Sequence, residues 1–325
     1  MSDAAPLRVL YIGGAGRSGS TLLGNILGAR PRTFHAGEVT HLWRRGVLED
    51  QLCGCGEPFS RCPFWRDVVA RIFDSLGMHP GDLARIVSLR DEVCSFRALP
   101  QLLWPWLQSS DFRRSLSEYG AALVEALRAI QETSGVEVVV DSSKYPPEAL
   151  VLAGRGDVRL SLLHLVRHVG AVAYAWTKTK ERPEIHDRRA YFSRYPVPKT
   201  AAAWVTFNAV FERMARSGSL AAHTRVRYED LVETPSATLA KIARELDLTP
   251  RGGWCLDGRS VHLGPNHTVS GNPVRFRQGP VQLVIDDDWR EAMPGLQRLV
   301  ADGLGVLQLR RYGYSGREAE GRSTG

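Results

Sequence analysis

The sequence predicts an α/β fold: a central parallel sheet, flanking helices, and a mainly helical insertion at about 45–135. Three observations predict it. The chain opens with an apolar run at 9–12, a glycine-rich turn, and an apolar-periodic helix through Leu22, Leu23, Ile26 and Leu27. Two later runs, the β-branched 137–140 and the leucine-rich 159–166, read as further buried strands. Between them, Leu116, Tyr119, Leu123, Leu127 and Ile130 recur at helical spacing. No internal repeat or low-complexity linker divides the chain, so residues 1–312 read as a single domain and the polar stretch 313–325 as a disordered tail.

Composition narrows the partners. The 325 residues are 43% hydrophobic, ample for a sizeable core, and carry a net charge of +7. That charge suits an anionic ligand. The basic residues are dispersed and no Lys/Arg-rich block is interleaved with aromatics, so no nucleic-acid partner is expected. The first residues are too short and polar for a signal peptide, and no run of about 18 apolar residues predicts a membrane helix. Five cysteines, an odd number without a secretion signal, suit reduced thiols and a cytoplasmic location.

The first turn carries Gly13, Gly14, Gly16 and Gly19, with Ser18, Ser20 and Thr21 adding hydroxyls. Strand, glycine-rich turn and helix N-terminus together make an anion site in a P-loop-like fold. Residues 14–21 nearly spell G-x-x-x-x-G-K-[ST], but Ser20 stands where the lysine should be, and the cation is Arg17 inside the loop. A nucleoside triphosphate needs that lysine, which argues against an ATPase or kinase. Arg17-Ser18-Gly19-Ser20-Thr21 resembles the loop of sulfotransferases that use 3′-phosphoadenosine 5′-phosphosulfate (PAPS), in particular those acting on carbohydrates and protein tyrosine. The resemblance implies that residues 16–21 hold the phosphosulfate and that PAPS is the co-substrate.

Further residues match in order. Residues 31–38 read as a second strand, and in the resembling enzymes a Gly-Glu after it supplies the general base; Gly37-Glu38 fits, with His35 and His41 as neighbouring alternatives. Strand 137–140 ends in Asp141-Ser142-Ser143-Lys144, where the resemblance gives Ser143 to the donor and Lys144 to the leaving phosphate, while Asp141 orients Lys144 or caps the next helix. Strand 159–166 ends in Arg167, matching a 3′-phosphate arginine at the start of a helix expected to run to about Lys180. The family's serine eight residues on is Ala175 here, leaving Thr177 as the substitute hydroxyl. Residues 178–194 read as a mobile charged loop at the pocket mouth, and the RYEDL landmark at 227–231 places Tyr228 against the nucleotide. In the segment 266–289, Arg275, Arg277, Gln278 and Gly279 match a late basic loop over the 3′-phosphate, with Ser270 or Asn272 adding donors; two arginines at alternate positions of an extended loop face one side.

Cys53, Cys55 and Cys62 are the least expected local feature. With C-x-C, a lone third cysteine and no obvious fourth ligand, no metal is expected; the thiols pack beside Phe59, Phe64 and Trp65, or form a disulfide within the loop. The resemblance implies transfer of a sulfuryl group to a hydroxyl of a small-molecule, glycosylated or lipid-linked acceptor, with Glu38 as base and Arg17 and Lys144 stabilising the leaving phosphate, and with no metal required. The alternatives are a P-loop small-molecule kinase and a non-catalytic nucleotide-binding protein.

Overall fold

The first strand, β1 (Leu7–Gly13), divides its side chains between two cores. Leu7, Val9 and Tyr11 enter one, Leu10 and Ile12 the other, and all five are buried. This is the strand's period of two, and a strand apolar on both faces needs helices over both. The computed structural model, which describes residues 5–248, 254 and 256–314, shows them. Helix α1 (Ser20–Gly28) and the helix Pro235–Glu245 cover the face of Leu10 and Ile12 through Leu23, Ile26, Leu239 and Ile242. The helices Ser110–Ser134, Pro146–Ala153 and Val197–Ala215 cover the other through Leu123, Leu127, Ala149, Phe207 and Phe211. Each large apolar side chain so buried is worth about 1.5–3 kcal/mol.

Four further strands complete the sheet: β2 (Thr33–Gly37), β3 (Val138–Lys144), β4 (Val158–Val166) and β5 (Ala222–Arg227). Their order is β2-β3-β1-β4-β5 and every pair is parallel. All carboxyl ends therefore lie on one edge. Register sets Gly13 beside Lys144 and Gly37 beside Asp141 there. The chain leaves β1 toward β2 and β3 and later crosses to β4 and β5, so the loops diverge at β1 and open a crevice. The expected insertion lies between β2 and β3 and is helical. Its longest helix, Ser110–Ser134, is capped by the Ser109 side chain at one end and by left-handed Gly135 at the other.

The structure departs from the sequence reading in three places. The segment around 266–289 is not one extended loop: its flanks form a three-stranded antiparallel sheet of β6 (Leu256–Asp257), β7 (Ser260–Leu263) and β8 (Gly279–Gln282). The helix after Arg167 is Val169–Ala175, stopping well short of Lys180, and Thr177 turns its hydroxyl back onto the Tyr174 carbonyl at 2.8 Å. The ordered chain also passes the expected boundary at 313. Tyr314 is buried, donates to Glu229 at 2.8 Å and lies edge-on to His168; residues 315–325 lie outside the described residues. No helix among the described residues is long and apolar enough to cross a membrane.

Candidate active site

A cleft of about 330 Å³ opens over the carboxyl edge of the sheet. The turn between β1 and α1 supplies Gly16, Arg17, Gly19, Ser20 and Thr21 to its wall, with α1 starting at Ser20. The Arg17 guanidinium lies between the rings of Trp176 and Phe192, 4.9 and 4.6 Å from their centroids, and burial lowers its pKa. Ser18 is buried behind this wall. Its Oγ and the Nε of Arg17 are both sealed from water without a hydrogen-bond partner in the protein.

Opposite the loop, Glu38 and Lys144 form a buried ion pair: Nζ donates to Glu38 Oε1 and, at 3.1 Å, to the Ser142 carbonyl. Glu38 sits where it does because β2 ends at Gly37, whose φ of +90° turns the chain beneath residue 269; a Cβ there would lie 2.3 Å from the Val269 carbonyl oxygen. That carbonyl accepts the Glu38 N–H at 2.8 Å. The other carboxylate oxygen, Oε2, is 3.5 Å from His41 Nε2 and accepts from Ser270 Oγ at 3.5 Å, while Arg45 donates to Ser270 at 2.7 Å. Burial first, then Arg45, Arg90, Lys144 and Arg182, push the His41 pKa well below its ordinary value, so its ring is neutral near pH 7.

Among the described residues, six non-glycine residues have positive φ, and Arg17, Lys144 and Ser270 are three of them. Such conformations cost of order 1–3 kcal/mol each and gather where function holds them.

The third wall is Arg167 with Tyr228. Arg167 donates to the Arg17 carbonyl at 3.1 Å and to the Asp286 carbonyl at 2.9 Å, and its guanidinium lies 4.9 Å from the Tyr228 ring centroid. Trp204 holds the Arg167 carbonyl at 2.9 Å. Arg45, Lys178 and Lys180 also line the cleft, so six cations face two carboxylates, Glu38 and Asp286. Sequence reasoning missed these three cations and the aromatic walls Trp176 and Phe192. The lysines belong to the charged stretch read as a mouth loop, yet Glu184 of that stretch is fully buried against Arg182; Arg45 had no local signal at all.

Several expected residues fall elsewhere. Ser143 is fully buried, its Oγ bonded to Asp141 and accepting from Thr40, because it shares a face of β3 with Asp141 rather than with Lys144. Asp141 braces the turn after Glu38, accepting from Val39 and Ser143, and burial raises its pKa to about 6. Thr177 lines a separate surface crevice with Tyr174 and Arg194, whereas Ala175 faces the cleft. The helix ends at Ala175, and in the turn that follows the Thr177 hydroxyl folds back onto the Tyr174 carbonyl, away from the cleft. His35 is buried between Asn25 and Ser142, its pKa lowered to about 3 chiefly by burial.

The late segment corrects most. A 3-10 helix, Pro273–Phe276, takes in Arg275 and leaves Arg277 just past its end, so the two do not lie at alternate positions of an extended loop. Arg275 is fully buried and donates to the Thr268 and Leu52 carbonyls at 2.6 and 2.7 Å, away from the cleft. Arg277 and Gln278 are exposed, and Gly279 pairs with Leu263 as the first residue of β8. In their place the segment presents Gly271, Asn272 and Val274, with the Asn272 N–H donating to Thr21 Oγ1 at 3.1 Å.

No protein-family model and no curated protein matches the chain. Among solved structures it is similar to the sulfotransferase domain of the Synechococcus PCC 7002 olefin synthase, at 18% identity and a TM-score of 0.48, covering 94% of this chain and 96% of that one. It is likewise similar to the sulfotransferase domain from the curacin biosynthetic pathway, at 15% identity and 0.49, covering 94% and 98%. The third is sulfotransferase STF9 from Mycobacterium avium, at 12% identity and 0.47, covering 96% and 78%.

Proposed function

We propose that the chain is a sulfotransferase that moves the sulfuryl group of PAPS to a hydroxyl of a small-molecule, glycosylated or lipid-linked acceptor. The observation that carries this reading is the pairing of one carboxylate, Glu38, with Lys144 inside a cleft lined by cations and closed by the glycine-rich turn. The residues fit such a donor. The loop residues Gly16, Arg17, Gly19, Ser20 and Thr21 would take its phosphosulfate, and the orphaned Arg17 Nε suits a group rich in acceptor oxygens. Arg167 and Tyr228 would take the nucleotide side, with Lys178 and Lys180 in place of the expected Arg275 and Arg277.

The donor supplies an activated sulfuryl group; the chain supplies position and charge. Glu38 removes the acceptor's proton. Lys144, held in a strained conformation on Glu38, and Arg17, clamped between two rings, stabilise negative charge on the departing phosphate. Tyr145, Trp176 and Phe192 give the acceptor side an apolar surface that excludes water. The kinase alternative would need Asp141 to reach a magnesium ion, but Asp141 is sealed in the turn behind Glu38.

Thermal unfolding with adenosine 3′,5′-bisphosphate tests the donor, with ADP and with ATP plus magnesium as comparators. At about 100 times its dissociation constant the 3′-phosphorylated ligand should raise Tm by roughly 5 °C. A shift only with ATP and magnesium would replace this reading with the kinase.

A further inference from the structure

The fourth ligand that the cysteine segment lacks in sequence is supplied by the late segment. Cys53, Cys55, Cys62 and His267 converge, their sulfur and Nδ1 atoms all within 4.8 Å of one another. Cys55 and Cys62 sulfurs are 3.8 Å apart; Nδ1 lies 3.7 Å from Cys53 and 3.2 Å from Cys62. A tetrahedral zinc site with Zn–S near 2.3 Å and Zn–N near 2.0 Å has S···S edges of about 3.8 Å and S···N edges of about 3.5 Å. The Cys55–Cys62 separation of 3.8 Å and the two to Nδ1, 3.7 and 3.2 Å, lie close to those edges, and all four ligand atoms are within 4.8 Å of one another. The three cysteines form no disulfide and share a core with Phe59, Phe64 and Trp65, as the reduced-thiol expectation has it, but they also face an imidazole that the sequence did not place beside them.

The backbone is built to hold this arrangement. Cys53 exchanges bonds within a tight turn, donating to Glu57 at 2.8 Å and accepting from Gly56 at 2.9 Å, and Cys62 begins the helix Pro63–Leu76. Gly54 lets the turn lie against the late segment: a Cβ there would fall 2.0 Å from Asn266 Oδ1. The His267 ring stacks on Phe64 at 5.3 Å, which aims Nδ1 at the sulfurs.

We propose that Cys53, Cys55, Cys62 and His267 bind one structural Zn²⁺ that locks the late segment to the sheet edge beside the cleft. Three thiolates and an imidazole suit zinc, and four protein ligands leave no open position for a substrate, so the ion is structural. Its consequence reaches the site through two residues of backbone. Val269 donates to the Ala36 carbonyl and accepts from Glu38, both at 2.8 Å; Ser270 then touches Glu38, and Asn272 faces the cleft. Fixing His267 therefore fixes the strand that seats Glu38.

The test uses the full chain, purified under reducing conditions without chelator. Metal analysis should find one zinc per chain, and Cys62→Ser or His267→Ala should lose at least ten-fold of it, while Cys94→Ser, outside the cluster, retains it. Because those variants can fail to fold, the wild type carries a second readout. Cobalt-exchanged protein should show the visible bands of a tetrahedral thiolate site, and X-ray absorption of the zinc form a shell of three sulfurs and one nitrogen. Folded wild type that takes up no zinc from excess Zn²⁺, zinc bound only by oxygen and nitrogen, iron in place of zinc, or undiminished zinc in both ligand variants would each overturn the proposal.

Discussion

Arg167 and Arg275 are both almost sealed from solvent, yet they do opposite things. Arg167, at the end of β4, keeps its guanidinium against the cleft and shares it between two carbonyls and the Tyr228 ring. Arg275 spends its charge inside the fold, joining the carbonyls of Thr268 and Leu52 across the candidate metal cluster. The same division runs through the titratable groups. Glu38, Lys144 and Arg17 face the cleft, whereas Asp141, Glu148 and His35 are sequestered behind it. Burial does not separate cleft-facing from structural charges here; the direction in which the remaining hydrogen-bonding capacity points does.

The largest effect tests the cleft side. Replacing Glu38 by Gln keeps the shape and removes the base, so turnover should fall roughly 10³-fold, about 4 kcal/mol of barrier. Donor affinity, measured by titration with adenosine 3′,5′-bisphosphate, should change little. A Glu38→Gln enzyme with near-normal turnover would move the base elsewhere, with neutral His41 the first candidate.

The two arginines can be set directly against each other. Arg275→Ala strands two buried carbonyls and leaves a cavity, so stability should drop by about 3–5 kcal/mol in denaturant unfolding. Arg167→Ala should instead weaken adenosine 3′,5′-bisphosphate binding roughly 10–100-fold, the loss of one charge-assisted contact, with a much smaller change in unfolding. Equal stability losses in the two variants would erase the distinction drawn between them.

The sequestered acids make a pH prediction. Burial first, then the charge of Asp141, raises Glu148 to about 8, and its Oε1 accepts from the Tyr119 hydroxyl at 3.4 Å. Tyr11, Tyr119, Cys94, Arg90 and Asp141 are the titratable groups coupled to it. The folded state thus keeps a proton that the unfolded chain releases near its ordinary value. This contribution is fully present below about pH 4.3 and is lost as pH rises through about 8. Glu148→Gln, which cannot ionise, should gain on the wild type in unfolding free energy between about pH 5 and pH 8.5. Parallel pH profiles would show that Glu148 ionises freely.

What was legible in the sequence follows the same line. The β1 turn, Glu38, Lys144 and Arg167 were readable because each ends a parallel strand, and strand ends share one edge whatever the rest of the chain does. Ser143 failed on a one-residue alternation and Thr177 on a helix that stops early, both local details that decide which way a side chain faces. Arg275 and His267 were unreadable for a different reason. Their partners Leu52, Cys53 and Cys62 lie more than two hundred residues away in sequence, with separations of 223, 214 and 205. Only the tertiary fold brings them together.

Ala175 offers the smallest and most local test. It ends the helix Val169–Ala175 and lines the cleft beside Trp176 and Lys178, at the position where the resembling enzymes carry a serine. Thr177 cannot replace that hydroxyl, since its Oγ1 already donates to Tyr174 on the far side of the turn. Ala175→Ser therefore adds one donor where none exists, and a neutral hydrogen bond is worth about 0.5–1.5 kcal/mol net. Affinity for adenosine 3′,5′-bisphosphate should rise roughly 2- to 10-fold while affinity for ADP stays fixed, because only the former has a 3′-phosphate to accept the bond. An equal gain for both ligands would place the new hydroxyl on the shared 5′ side. No gain for either would mean that the 3′-phosphate rests on Lys178 and Lys180 out of reach of residue 175.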